Sequence, residues 1–239
     1  MRKGPLFSYP LRFTLSGHIF IDPADDCNAL VDAMLETDYN EEFCIAADFD
    51  PPFVARLMEA GFLVMSAALE EAEADEVILL PKLHLIRTVL FFPELHIKKS
   101  IGPFLGRYEL RFDRDFDAIV DRCVARHGGD WLTGPLVGVI KELHGADGPV
   151  RPVSFALYRG GVLRAGEFGV ICGRVYTSYS GYYEESNAGT VQMILMVQYL
   201  ERAGFAFLDL GMPLPYKEQL GARNIGPEQF VELFRKARI

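Results

Sequence analysis

Among the residues that could do chemistry, Asp209 stands out by its surroundings, because it lies inside the apolar run FAFLDLGM (205–212). Burying a carboxylate there is costly unless a partner compensates it, so Asp209 is either a site residue or a paired or strand-end structural aspartate. Four tyrosines, Tyr176, Tyr179, Tyr182 and Tyr183, are close enough to line a pocket or stack on nucleic-acid bases; an ordinary strand face also accounts for them. The histidines at 18, 84, 96, 127 and 144 show no metal-ligand spacing, and no metal site is expected. His84 and His96 sit in apolar, strand-like surroundings that suit packing or a backbone hydrogen bond. Glycine-rich phosphate loops, the zinc-protease helix motif and the serine-elbow motif have no usable match. Cys27, Cys44, Cys123 and Cys172 lie far apart with no CxxC pair, which argues against a zinc ribbon or a disulfide scaffold and fits a reducing compartment.

These residues must be positioned by a chain of 239 residues, enough for one large domain or two small ones. Its hydrophobic content of 50% is too high for a disordered protein. No run approaches the ~20 apolar residues of a membrane span. The opening MRKGPLFSYPLRFTLSG lacks the long apolar run and cleavage site of a secretory signal, so a cytoplasmic protein is expected. The net charge of −9 argues at first against a polyanionic partner, but its distribution is uneven. Residues 1–80 carry 4 Lys/Arg against 16 Asp/Glu, whereas the remainder carries 20 against 17. Lys82, Arg87, Lys98, Lys99, Arg107, Arg111, Arg114, Arg122 and Arg126 fall in one basic stretch, and a phosphate backbone responds to local potential more than to total charge. A mixed, solvated surface is the competing reading of that stretch.

Hydrophobic spacing predicts helices over 28–36 and 51–60, the second opened by Asp50 with Pro51 and Pro52 and closed by Gly61. EEAEADE (70–76) reads as an acidic loop or helix end. Strands are expected within 77–92 and over 107–112, and helices over 115–128 and 131–147. Gly160–Gly161 signals a hairpin between two strands. A long helix (188–204), a buried strand (205–212) and a C-terminal helix from Pro227 complete an α+β layout over about residues 81–239, preceded by a smaller domain over 1–80.

The ordered set of segments resembles the leucyl/phenylalanyl-tRNA–protein transferase family, which moves an amino acid from aminoacyl-tRNA to a protein N-terminus and so marks it for degradation. The resemblance rests on FDPPFVARLMEAGFLV (49–64), IRTVLFFPELHIKKS (86–100), DFDAIVDRC (115–123), DWLTGPLVGVIKELH (130–144), SFALYRGGVLRAGEFGV (154–170), Asn187–Ala188 and FLDLGMPLPYKEQLGARNI (207–225). It covers roughly residues 45–235. It implies a small N-terminal domain and an acetyltransferase-like (GNAT) C-terminal domain. It also implies an aminolysis that proceeds by positioning, amine deprotonation and oxyanion stabilisation, without metal or small cofactor. Aminoacyl-tRNA and protein N-termini are the implied partners, with no membrane, and a monomer is the family expectation.

By the resemblance, Asp209 matches the catalytic aspartate of the family's D-x-Q strand, Arg87, Lys98 and Lys99 match tRNA-binding positions, and Trp131 matches a tryptophan that stacks on the terminal adenine. Glu167, Tyr176, Tyr179 and Ser180 are expected in the donor/acceptor pocket. The chain departs from the pattern at several points. Gly211 replaces the D-x-Q glutamine, and Tyr179 replaces a glutamate that favours basic acceptors. Met65 replaces a stacking tryptophan, Ile140 a helix tyrosine and Glu167 a donor-pocket methionine. A carboxylate in the donor pocket favours a cationic side chain over Leu or Phe. The sequence therefore points to a transferase with an Arg donor and Asp/Glu acceptors. The alternatives are ordinary Leu/Phe transfer or a non-catalytic tRNA- or degron-binding protein on the same scaffold. An acyl-CoA acetyltransferase is disfavoured, because SNAGTV (186–191) lacks the glycine pattern of a pyrophosphate loop.

Overall fold

The computed structural model describes residues 9–37, 39–69 and 76–239. The acidic segment predicted over 70–76 lies outside them except for Glu76. Two short strands, β1 (Arg12–Phe13) and β2 (Ile19–Phe20), lead to α1 (Cys27–Glu36) and β3 (Cys44–Ile45), and the three strands form a small sheet. Asp26 caps α1 by accepting hydrogen bonds from the Asn28 and Ala29 amides. In α2 (Pro51–Ala60), Asp50 accepts from the Phe53 amide, and Gly61 ends the helix at φ 104°, a left-handed conformation that glycine adopts without steric cost. An antiparallel pair follows, β4 (Leu63–Ala68) and β5 (Val77–Lys82). The sequence reading had no strand at 63–68.

The main sheet draws on the rest of the chain. Its strands are β6 (Arg87–Leu90), β7 (Glu109–Phe112), β8 (Val150–Arg159), β9 (Val162–Cys172), β10 (Val175–Tyr183), β11 (Phe207–Gly211) and β12 (Arg223–Ile225), in the order β12-β6-β11-β10-β9-β8-β7. Among them run α3 (Gly102–Leu105), α4 (Phe116–His127), α5 (Gly134–His144), α6 (Ala188–Arg202), α7 (Pro215–Gln219) and α8 (Pro227–Ala237). This is the expected α+β class. The predicted hairpin turns on Gly160 and Gly161, both at positive φ (58° and 78°), the requirement of a two-residue turn matching strand twist. The helix predicted from 131 begins only at Gly134, because Thr133 is extended (φ −73°, ψ 163°) and Pro135 sits in the first turn.

Both faces of this sheet are covered. Phe168, Val170, Val175 and Phe207 share a core with α4, α5, α2 and α8, and that core extends without a break to Ile19 and Leu30 near the N-terminus. Phe155, Ala165, Tyr176, Leu208 and Leu210 pack with α6 on the other face. β10 and β11 form the one parallel pair of the sheet, and it is short: Val175, Tyr176 and Thr177 lie opposite Phe207, Leu208 and Asp209. Beyond it, β10 carries a bulge at Tyr179 between Ser178 and Ser180, and β11 shifts register between Asp209 and Gly211. Bulges bend a strand and end its pairing, so the two strands part there and open a fork into the sheet.

The segment after β6 is tied to the loop after α7. The His96 amide donates to the Leu220 carbonyl at 2.9 Å, and Gly221 (φ 97°) sits so close to Glu94 that an added Cβ would meet the Glu94 carbonyl oxygen at 2.0 Å. Gly221→Ala is expected to lower stability by about 2–4 kcal/mol, from the left-handed φ and the backbone clash together, as measured by urea unfolding against wild type.

Candidate functional site

A cleft of about 1150 Å³ opens at the fork and is lined from both sides of the sheet. Tyr179, Ser180 and Gly211 belong to the parted strands, Leu63 and Met65 come from β4, and Gln192, Met193 and Ile194 from α6. Trp131, half-buried, forms part of the wall. Its carbonyl accepts from the Ser66 amide at 3.0 Å, and the Ser66 hydroxyl lies 2.8 Å from that of Thr133, so β4 fixes the segment ahead of α5.

Asp209 lies beneath this cleft, not in its wall. It is fully buried at the last position of β11 paired with β10 and makes a bidentate ion pair with Arg87, Nε to Oδ1 at 2.8 Å and Nη2 to Oδ2 at 2.6 Å. The Thr177 hydroxyl donates to Oδ2 at 2.9 Å and the Gly211 amide to Oδ1 at 3.0 Å. Gly211 itself stands at φ 69°. Arg87, expected on a tRNA-facing surface, points inward with its side chain 2% exposed. Its guanidinium packs on the Phe230 ring at 4.4 Å and donates through Nη1 to Nδ1 of His84 at 2.9 Å. A planar, five-donor guanidinium can serve all these partners at once, which a lysine could not.

The other carboxylate is set differently. Glu167 lies on the α6 face of β9, opposite Phe155 and Gly181, and is 3% exposed. Gln192 Nε2 approaches its Oε2 at 3.4 Å, while Oε1 has no hydrogen-bond partner among the described residues. Burial raises its pKa to about 7, against smaller opposing contributions from Ser178, Gln192, Tyr176 and Lys217. Tyr176 lies wholly buried behind it and outside the cleft wall. Tyr179 lines the cleft, and its hydroxyl accepts from the Val64 amide at 3.1 Å, leaving the phenolic proton available to donate.

Cationic groups ring the same cleft. Lys98 is exposed at its rim, its Nζ donating to Gln219 Oε1 at 2.5 Å; Lys99 is exposed nearby in sequence but outside the lining. Lys82 lines it and pairs with Glu42 at 2.7 Å. Lys217, 6% exposed, donates to the Leu210 and Met212 carbonyls at 2.5 and 2.9 Å, on either side of Gly211. Burial lowers its pKa to about 8, opposed by Asp209 and Glu167. The fork thus brings together Glu167, Tyr179, Ser180, Lys98 and Trp131, with Asp209, Arg87 and Tyr176 behind the wall. His84, Gln192 and Lys217 were missed as cleft residues. A glutamine on the apolar side of α6 was a usable signal for the second; nothing in PLPYKEQ announces that its lysine is buried.

A sequence model of the leucyl/phenylalanyl-tRNA protein transferase family matches residues 89–235. The leucyl/phenylalanyl-tRNA–protein transferase of Pseudomonas entomophila (strain L48) is 35% identical over 151 residues, 61% of this chain and 66% of its own length. That of Pseudomonas paraeruginosa (strain DSM 24068 / PA7) is 34% identical over 159 residues, 64% of this chain and 68% of its own. The alignments therefore span about two thirds of these relatives. Among solved structures, a GCN5-related N-acetyltransferase from Kribbella flavida aligns with a TM-score of 0.37 and 14% identity, over 87% of this chain and 77% of that chain. Among the described residues no helix is long and apolar enough to cross a membrane.

Removing one partner of the Arg87–Asp209 pair leaves a buried, uncompensated charge. Asp209→Ala is expected to lose about 3–5 kcal/mol of stability by chemical denaturation, whereas the double change Arg87→Met with Asp209→Leu recovers much of it. Equal stability of Asp209→Ala and wild type would contradict this account of the pair.

Proposed function

Because this chain belongs to the leucyl/phenylalanyl-tRNA protein transferase family, we propose that it moves an aminoacyl group from tRNA to the N-terminal amine of a protein, and that it favours a donor with a cationic side chain such as arginine. The observation that carries the donor preference is Glu167, a buried carboxylate facing the cleft with Oε1 unpartnered. A guanidinium satisfies such an oxygen by charge-assisted hydrogen bonds, whereas a Leu or Phe side chain leaves it desolvated and unpaired. The acceptor is proposed to carry an N-terminal Asp or Glu. Tyr179 stands where the resemblance places a glutamate, and Lys82, Lys98 and Lys217 give the cleft a cationic lining. Trp131 supports stacking on the terminal adenine, and Lys98 and Lys99 support phosphate contacts. In this reading residues 1–80 form the small domain, the protein acts in the cytoplasm as a monomer, and Asp209 with Arg87 holds the site together.

The test is transfer of labelled Arg, Leu and Phe from their tRNAs to peptides beginning with Asp, Glu, Arg or Lys. Wild type is expected to use Arg-tRNA with acidic acceptors, and Glu167→Leu to shift the ratio toward Leu and Phe by about tenfold or more. The acceptor amine itself titrates, so the Arg/Leu ratio at each pH is the informative quantity. Glu167 attracts a cation only when ionised. The ratio therefore rises with pH through about 7 and falls below it. Exclusive transfer of Leu or Phe by wild type would sink the donor assignment. Binding of tRNA without transfer to any peptide would favour the non-catalytic reading, toward which the loss of the D-x-Q glutamine at Gly211 leans.

A further inference from the structure

His84 sits on the turn between β5 and β6, in the wall of the cleft, and the reaction proposed above assigns it no part. Its Nδ1 lies 2.9 Å from Arg87 Nη1. A guanidinium nitrogen can only donate, so Nδ1 accepts and a neutral ring must carry its proton on Nε2. The ring is neutral: burial lowers its pKa to about 2, and Arg87, Lys82 and Lys217 push the same way. Asp209 is paired with Arg87 and Glu42 with Lys82, and no carboxylate acts to raise the ring's pKa. Nε2 has no hydrogen-bond partner among the described residues and is not sealed in the core.

We propose that His84 is a catalytic residue whose Nε2–H donates to the oxygen of the ester carbonyl as negative charge develops on it. The inference rests on the transferase reading. The acceptor's neutral amine nitrogen attacks the ester carbon, forming the C–N bond, and the carbonyl π pair moves onto oxygen. The intermediate collapses by breaking the bond to the ribose oxygen, which leaves with the pair and takes up the proton lost by the amine. Amine plus ester gives amide plus alcohol, and no further reactant is required.

A neutral imidazole suits this task. Its proton is fixed by Arg87, so no reorientation is needed as the oxyanion forms. It also lacks the charge that would hold a phosphate or carboxylate in its place in the ground state. Two other buried donors of the cleft are less suited: Gln192 is turned to Glu167, and Lys217 gives two of its hydrogens to backbone carbonyls.

The test compares wild type, His84→Leu and His84→Gln in transfer of whichever labelled amino acid wild type uses, with thermal unfolding of each. The leucine removes the donor and the acceptor, while the glutamine keeps an oxygen for Arg87 and an N–H for the cleft. The expected result is a loss of about 100-fold in kcat for His84→Leu, with KM for aminoacyl-tRNA within about threefold, and recovery to within about tenfold of wild type by His84→Gln. Nitrogen-15 NMR of the wild-type ring is expected to show the proton on Nε2 and no titration between pH 5 and 8. A loss confined to KM, a folded His84→Gln as slow as His84→Leu, or a proton on Nδ1 would each overturn the assignment. If His84→Leu does not fold, the glutamine variant and the NMR spectrum decide. Wild type that transfers nothing from any aminoacyl-tRNA removes the transferase reading and His84's role with it; active wild type with an equally active His84→Leu removes the role alone.

Discussion

The buried pair of Arg87 and Asp209 is the constraint on which this architecture turns. A lone carboxylate at that depth, or a lone guanidinium, would not remain charged without cost. Arg87 donates two short hydrogen bonds to Asp209, and the remaining capacity is used locally: Thr177 and the Gly211 amide on the carboxylate, His84 and the Phe230 ring on the guanidinium. The partners come from β6, β10, β11, α8 and the β5–β6 turn, so one cluster fixes five segments of chain at the point where β10 and β11 part. Such pairs contribute less to net stability than to a single arrangement, and here the arrangement is the shape of the fork.

Two buried acidic residues are thus held in contrasting surroundings. Asp209 faces the α4/α5 side and is saturated with donors; Glu167 faces the α6 side with one oxygen unpartnered. An intact sheet would keep the two faces apart. The fork lets both sides contribute to one cleft: Met65, His84 and Tyr179 from one, Gln192 and Met193 from the other. A parted parallel pair thus gives one cleft several independent walls.

How much of this was legible from residue types alone depends on the range of the interactions. Local signals carried well: Asp50 with Pro51 and Gly61 bounded α2, and Gly160–Gly161 placed the hairpin, because capping and turn geometry are decided within a few residues. The burial of Asp209 was also readable from its apolar flanks, although its partner was not. Arg87 lies 122 positions away and looked like one more member of a basic stretch. The settings of Tyr179 on its bulge and of Thr133 ahead of α5 depend on contacts between distant segments, Val64 with Tyr179 and Ser66 with Thr133. Residue type announces neither. The same limit explains His84, whose apolar setting matched a packing role while its ring was being turned toward the cleft by Arg87.

Gly211 shows why a replaced motif residue is better read with its backbone than as a missing side chain. At φ 69° it is in a conformation that other residues adopt only with strain, and an added Cβ would press on Leu63 at 3.3 Å. What the glycine permits is a tight turn in which its own amide donates to Asp209, and the carbonyls on either side of it turn to receive Lys217. At this position the main chain supplies a donor to the carboxylate, and the turn seats a buried ammonium beside the cleft. The Gly211 amide from β11 joins Arg87 from β6 and Thr177 from β10 around Asp209, and Lys217 lies close enough to Glu167 to lower its pKa. One glycine turn thus serves the buried carboxylate on one side and the cleft's buried ammonium on the other.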